Sequence, residues 1–485
     1  MKVLLASSEI YPFAKTGGLA DVAGALPKAL KKIGVDVRVI MPKYKTIEEK
    51  GFPIRHKGLT FNCPISHRSV SGEVLESEYD GIPAYLVEKD EYFYRNYLYS
   101  TPDGDYLDNA ERFIFFSKSV LEAIKVTGWF PDVLHCNDWQ TGLVPLFLSV
   151  LYKDVPDFSR IGTLFTIHNM GYQGLFWHYD MHLLNLGWEY FTPDCLEFYG
   201  KVNFLKGGIV CSDIINTVSK KYSEEIQTPE FGAGLDGVLR SRASDLYGIV
   251  NGVDYDDWSP ETDACIPAKF TAESVHLKVQ DKAALQEAFG LPRRADTLLL
   301  ASISRLADQK GFDLIADALE EMMGLGIQYV LLGTGERKYH DLFTTLSEKY
   351  PESFALKIAY DNSLAHLIEA GADVFLMPSR YEPCGLNQIY SLKYGTVPVV
   401  RAVGGLDDTI RDDPAAPGLA TGFKFYDYSA EELLKAIKRA LALYQNKNEW
   451  LALVRRCMQE DFSWEKSAEE YGALYKKALE KHGFR

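Results

Sequence analysis

Short apolar runs, each closed by polar residues and followed by a stretch of helical period, recur along this chain, and that alternation is the strongest constraint on its fold. "KVLLA" (2–6) reads as a buried strand. The apolar set Leu19, Val22, Ala23, Leu26, Ala29, Leu30 and Ile33 has helical spacing, with Pro27 expected to kink or interrupt the helix. "VDVRVIMP" (35–42) then completes a β-loop-α-β unit. The rhythm resumes at "DVLHCND" (132–138), "GTLFTIH" (162–168) and "DIINTVS" (213–219). It repeats at "LLLAS" (298–302), "YVLLG" (329–333), "LKIAY" (356–360), "VFLMP" (374–378) and "VPVVR" (397–401), with helical segments such as "GFDLIADALEEMM" between. The expectation is an α/β protein of two doubly wound, Rossmann-like domains, whose ligands bind where parallel strands end.

A chain of 485 residues is too long for one ordinary core, which agrees with two domains. Turn residues accumulate in "LYGIVNGVDYDDWSPETD" (246–263), placing an N-terminal domain over 1–247 and a C-terminal one over 248–460. Residues 51–100 read as an insertion, with a hairpin around Asp80-Gly81 and then the aromatic-rich "EYFYRNYLYS". After Asp461 the pattern is that of an amphipathic helix, with Ser467 and Glu470 at capping-box spacing.

A net charge of −15 argues against a polyanion-binding surface, so no nucleic-acid partner is expected and any phosphate recognition is local. The start, "MKVLLASSE", is too briefly apolar for a signal peptide or membrane span, which points to a cytoplasmic chain without membrane attachment. Seven scattered cysteines without a CxxC support neither a disulfide framework nor a zinc ribbon. His178 and His182 lack an HExxH context, and the pairs Asp103/Asp105 and Asp254/Asp256 lie in turn-rich loops. No metal and no cofactor are expected.

Against this acidic background the local cations stand out. "AKTGGL" puts Lys15 and the Gly17-Gly18 pair in the loop before a helix, where backbone N–H groups, helix dipole and ammonium together suit an oxyanion. Arg305 and Lys310, in "SISRLADQKGF", share another strand-to-helix loop and suit a diphosphate. Glu382, ahead of Cys384, Gly385 and a further helical pattern, has the chemistry to bind sugar hydroxyls or to offset positive charge at an anomeric carbon. Asp138 with Trp139 and His168 with Asn169 stand at strand ends and carry groups that hold sugars. Singly, each also suits a turn, a cap or a packed side chain. GxGxxG and GxxxxGK[ST] are missing, which disfavours a dehydrogenase or P-loop enzyme.

Taken in order, "KTGGLADVAGALPKAL", "HCNDWQTGL", "TIHNMGYQG", "GIVNGVD", "SRLADQKG", "PSRYEPCGLNQIYSLKYG" and "GGLDDTI" resemble the bacterial glycogen synthases and the related starch synthases over nearly the whole chain. These are retaining glycosyltransferases of GT-B architecture, two Rossmann-like domains facing each other across a deep cleft. The resemblance implies glucose transfer from ADP-glucose, held mainly by the C-terminal domain, to the non-reducing end of an α-1,4-glucan such as glycogen. By motif match, Lys15, Gly17 and Gly18 would reach the donor phosphates, with Arg305 and Lys310 on the diphosphate. Asn251 would approach the donor, Tyr360 stack on its base, and Glu382, Cys384, Gly385 and Leu386 surround the glucose and distal phosphate. His168 would face the transferred sugar, Asp138 and Trp139 the acceptor, and the last helix (461–485) would cross back onto the N-terminal domain. Asp138 and Glu382 are the candidate catalytic carboxylates. Where many GT-B enzymes carry a second glutamate after seven residues, this chain has Tyr390, as bacterial glycogen synthases commonly lack that glutamate. A UDP-glucose-dependent synthase, a non-catalytic glucan-binding protein and a phosphorylase remain as alternatives.

Overall fold

A computed structural model describes residues 1–483. The chain divides into two compact units, the first comprising 1–218, 223–252 and 464–483, the second 219–222 and 253–463.

The first unit is built on nine strands: β1 (Lys2–Ala6), β2 (Asp36–Pro42), β3 (Arg55–Ile65), β4 (Arg68–Tyr79), β5 (Ile82–Glu88), β6 (Val133–Asn137), β7 (Gly162–Ile167), β8 (Ile214–Thr217) and β9 (Leu246–Gly248). They lie in the order β9-β8-β7-β6-β1-β2-β5-β4-β3. The pairs from β9 through β2 to β5 are parallel, whereas β3, β4 and β5 pair antiparallel. Residues 55–88 are therefore an extension of the main sheet and not a separate insertion. The hairpin falls at Asp80-Gly81, where φ values of 47° and 72° match the twist of the flanking strands.

Helix α1 (Gly18–Lys32) runs uninterrupted through Pro27, contrary to the expected break. Proline supplies no N–H to the Ala23 carbonyl four residues back. The Tyr79 hydroxyl, from the end of β4, lies 3.4 Å from the Ala23 oxygen and 3.1 Å from that of Gly24, and takes the missing donor's place. Helix α2 (Asn109–Thr127) carries Phe113, Phe115, Phe116 and the fully buried Arg112 into the core.

The C-terminal helix (Trp464–Gly483) belongs to this unit. Ser467 lies inside it, not at its N-cap, and its hydroxyl donates to the Val250 carbonyl at 2.8 Å. A buried polar chain fastens the helix to the sheet: Tyr475 Oη lies 3.0 Å from His135 Nδ1, His135 Nε2 2.6 Å from Thr166 Oγ1, and Thr166 donates to Asn216. Every member of the chain thereby finds a partner, which is what a buried polar group requires.

The second unit has six parallel strands: β10 (Leu299–Ile303), β11 (Gln328–Leu332), β12 (Phe354–Lys357), β13 (Val374–Met377), β14 (Val397–Arg401) and β15 (Phe423–Phe425), ordered β12-β11-β10-β13-β14-β15. Helices α3 (Phe312–Gly324), α4 (Asn362–Gly371) and α5 (Asn387–Lys393) fall between them. Lys278 is buried against the C-terminal end of α4, and its ammonium donates to the Glu369, Ala370 and Tyr394 carbonyls and to Thr396 Oγ1. No helix among the described residues is long and apolar enough to cross a membrane.

Candidate active site

In each sheet the chain leaves its first strand in one direction and later returns on the other side. Such a reversal opens a crevice at the carboxyl ends of the two strands that flank it. The reversal lies between β1 and β6 in the first unit and between β10 and β13 in the second. Most of the residues singled out by sequence stand at these places.

In the first unit, Lys15, Gly17 and Gly18 follow β1, Asp138 and Trp139 follow β6, and His168 follows β7. The Lys15 ammonium is 2.7 Å from Asp21 Oδ1, with both side chains about a third exposed (38% and 31%). Gly17 and Gly18 face open space. The Gly17 N–H already donates to Glu9 Oε2 at 3.2 Å. Asp138 has φ 57° and ψ −179°, a conformation that costs a non-glycine residue about 1–3 kcal/mol. What it secures is a turn: Asp138 Oδ1 accepts the His168 N–H at 2.7 Å, and the Asn169 N–H also bonds to this carboxyl. Burial pushes the Asp138 carboxyl up to about 7.

Asn137 Nδ2 donates to the Ala6 carbonyl at 3.1 Å, which turns Asn137 Oδ1 towards His168 Nε2, 2.9 Å away. Oδ1 accepts only, so this network assigns the imidazole proton to Nε2 and leaves Nδ1 an acceptor. Desolvation lowers His168 to about 3, keeping it neutral at physiological pH. Trp139 is seated against Phe113, ring centroids 4.9 Å apart, and over Gly174, where φ is 62° and a Cβ would collide with the indole. Asn251 follows β9, and its buried Oδ1 has no hydrogen-bond partner among the described residues.

In the second unit, Arg305 and Lys310 follow β10, and Glu382, Cys384, Gly385 and Leu386 follow β13. The two loops are joined directly. Lys310 Nζ lies 2.6 Å from Glu382 Oε2, which also accepts from Ser379 Oγ at 3.1 Å. The Arg380 N–H donates to the Gln309 carbonyl at 2.8 Å. Gly311 has φ 72°, and a Cβ there would collide with the Pro378 carbonyl. Glu382 and Cys384 are nearly buried, at 5% and 6% exposure. Tyr360, just beyond β12, is 84% exposed. Tyr390 stacks on Trp258 with centroids 4.0 Å apart, and Trp258 stacks on His366 at 3.8 Å.

Four features of these sites had little or no signal in the sequence. Glu9 lies outside the family motifs, and Asn137, although inside "HCNDWQTGL", carries no local mark of its bond to His168. Ser379 lies inside "PSRYEPCGLNQIYSLKYG", but nothing in that run marks its bond to Glu382. The Gly404-Gly405 pair was visible in "GGLDDTI", but its use was not: the Gly405 N–H donates to the Glu382 carbonyl at 3.1 Å, and a Cβ on either glycine would strike the backbone of 382–384. Among the described residues, Asp263, Cys265 and His366 form one of two groupings with metal-ligand atoms close together. There Asp263 Oδ2 is already hydrogen-bonded to His366 Nδ1 at 2.8 Å and to the Tyr394 hydroxyl.

Residues 2–241 match the family model described as the starch synthase catalytic domain, and residues 286–452 match glycosyl transferases group 1. The chain is 50% identical to the glycogen synthase of Koribacter versatilis over 481 residues, covering 99% of this chain and 98% of the relative. The chain belongs to the glycogen synthase family. The glycogen synthases of Moorella thermoacetica (48% identity; 99% and 97% of the two chains) and Thermotoga maritima (46%; 100% of both) are also similar. Among solved structures, the catalytic domain of starch synthase IV from Arabidopsis thaliana, bound to ADP and acarbose, superimposes with a TM-score of 0.90 at 32% identity over 99% of both chains. Sucrose-phosphate synthase from Thermosynechococcus elongatus shares the fold, with a TM-score of 0.60 at 19% identity over 98% of both chains. The protein is thus a glycosyltransferase of GT-B type with glycogen synthase function.

Proposed function

We propose that this glycogen synthase family member transfers glucose from ADP-glucose to the non-reducing end of an α-1,4-glucan, with retention of configuration. The observation that carries this reading is the joined pair of loops in the second unit. There Arg305 and Lys310 stand with the buried Glu382 at the reversal between β10 and β13, cations for a diphosphate beside a carboxylate for a sugar. The starch synthase bound to ADP and acarbose supports both halves of it, nucleotide and glucan.

In the proposed mechanism Arg305 and Lys310 hold the donor diphosphate and offset the charge that accumulates as ADP departs. Lys15 adds its charge to the same phosphates, exchanging Asp21 for the donor. Glu382, supported by Lys310 and Ser379, favours the oxocarbenium-like state at C1. Gly17, Gly18, Cys384, Gly385 and Leu386 give the donor access to backbone, Asn251 offers its unpartnered oxygen, and Tyr360 offers an exposed ring to the base. Trp139, packed among Phe113, Phe176 and Phe204, shapes the acceptor side, and His168 presents a neutral imidazole towards the transferred glucose. The Asp138 carboxyl is engaged by the His168 turn, which favours a positioning role and displacement on one face, with the leaving phosphate as base, over a covalent intermediate on Asp138. No metal is required.

Incubation of purified protein with glycogen and labelled donor tests the reading. Label from ADP-glucose enters polymer in the presence of chelator, at a rate well above that from UDP-glucose. Preference for UDP-glucose, or growth only when a divalent metal is supplied, would overturn the corresponding part.

A further inference from the structure

The loop from Lys15 to Gly18 is exposed along its whole length, yet it has a fixed point. Glu9, only 4% exposed, sends its carboxylate into the loop. It accepts the Thr16 N–H, the Thr16 hydroxyl at 2.6 Å and the Gly17 N–H at 3.2 Å. A fourth donor comes from far along the chain, for the Tyr99 hydroxyl lies 2.8 Å from Glu9 Oε1. Ser8 Oγ is 2.7 Å from the same tyrosine oxygen, which accepts the serine proton while its own goes to Glu9.

Tyr99 is itself held firmly. Its carbonyl accepts from Asn109 Nδ2 at 2.9 Å, and Asn109 Oδ1 accepts from the fully buried Arg112 at 2.6 Å. Arg112 also donates to the carbonyls of Tyr92 and Leu98, so one guanidinium gathers the aromatic segment 92–99. The Tyr99 ring meanwhile sits 6.4 Å from that of Trp139. A continuous hydrogen-bonded line thus runs from α2 through Tyr99 and Glu9 to the backbone of Thr16 and Gly17.

Resting on the functional reading above, we propose that Glu9 is a positioning residue for Lys15. Tyr99 orients the Glu9 carboxylate, so that the lysine loop and the aromatic segment beside Trp139 are set by one fixture. Glu9 is fully engaged by the loop and need not touch either substrate. Its effect is transmitted through where the loop holds the Lys15 ammonium. Glutamine would keep an oxygen for the Thr16 and Gly17 N–H groups and turn its NH2 to the Thr16 and Tyr99 hydroxyls, so Glu9→Ala, which takes away all four contacts, is the variant that removes the brace. Tyr99→Phe is milder, removing one donor and keeping the ring.

The test is a double-mutant cycle on kcat/KM for ADP-glucose with glycogen as acceptor. Lys15→Ala alone is expected to fall by ~10²-fold or more, as for removal of a charge-stabilising donor. Glu9→Ala is expected to fall by at least about tenfold, and Tyr99→Phe by about three- to tenfold, with melting temperatures near that of the parent. In the Lys15→Ala background both should cost less than about twofold, since a brace acting only through Lys15 has nothing left to act on. Full additivity, or parent-like activity of both single variants, would overturn the proposal. If Glu9→Ala does not fold, the Tyr99→Phe arm decides. Undiminished activity of Lys15→Ala would instead strike the functional reading itself, so the two failures are distinguishable.

Discussion

At the residue scale, the first unit keeps several ionisable groups away from their usual charge states, and their effects on stability oppose one another. Burial lowers both His135 and His168 to about 3. A histidine that stays neutral in the fold binds its proton only on unfolding, so its contribution is complete above about pH 6.5 and is lost as pH falls towards 3. Asp138 works in the other sense. Raised to about 7, it keeps its proton in the fold where the unfolded chain would release it, and its contribution is lost as pH rises from about 4 through 7. Between pH 4 and 6.5 it therefore cancels part of the histidine slope. Asp138→Asn should steepen the fall in unfolding free energy with falling pH across that interval by about 1.4 kcal/mol per pH unit, measured by denaturant titration at several pH values. An unchanged slope would mean that Asp138 is ionised in the native protein. The types of residue at these strand ends were legible from sequence. The burial that sets their protonation was not, because it comes from elements distant in the chain.

At the element scale, both sites depend on loops locked to one another. The lock in the second unit is backbone against backbone, with Gly311 in a left-handed conformation under the Pro378 carbonyl and Gly404-Gly405 against 382–384. Alanine at 311 must adopt the left-handed backbone, at a cost of at least about 1–2 kcal/mol, and meets an atom that cannot move without shifting the Glu382 loop. Gly311→Ala should accordingly lower the melting temperature and cut turnover by more than about tenfold, whereas Gly324→Ala, at a helix end in open space, should do neither. Strand-loop-helix units with their charged loops were readable from periodicity because each is local. Three things were not. The helix survives Pro27 through a hydroxyl from Tyr79, Ser467 serves Val250 instead of capping its own helix, and residues 55–88 extend a sheet that starts at Lys2. Each rests on a partner that no local pattern contains.

At the scale of the whole molecule, the first unit is discontinuous, since its final helix arrives only after the second unit has been completed. The His135–Tyr475 bond and the Ser467–Val250 bond make that helix part of the first unit's core. A chain ending at 463 should lose soluble, folded protein or melt well below the parent; an unaltered melting curve would show the helix to be dispensable. In the proposed mechanism Arg305, Lys310 and Glu382 of the second unit serve the nucleotide-sugar, while the first unit brings Lys15 to its phosphates, His168 to the transferred glucose and Trp139 to the acceptor side. The loops that carry the cations were legible because cations at the strand ends of an otherwise acidic chain stand out, and the family because its motifs occur in one order. The proposed mechanism stands on those cations making ADP a good leaving group. The most direct measurement is the turnover number of Arg305→Ala with saturating ADP-glucose and glycogen, on protein whose melting temperature equals the parent's. A loss of ~10²-fold or more is predicted, and turnover within about threefold of the parent would contradict the role given to the cations.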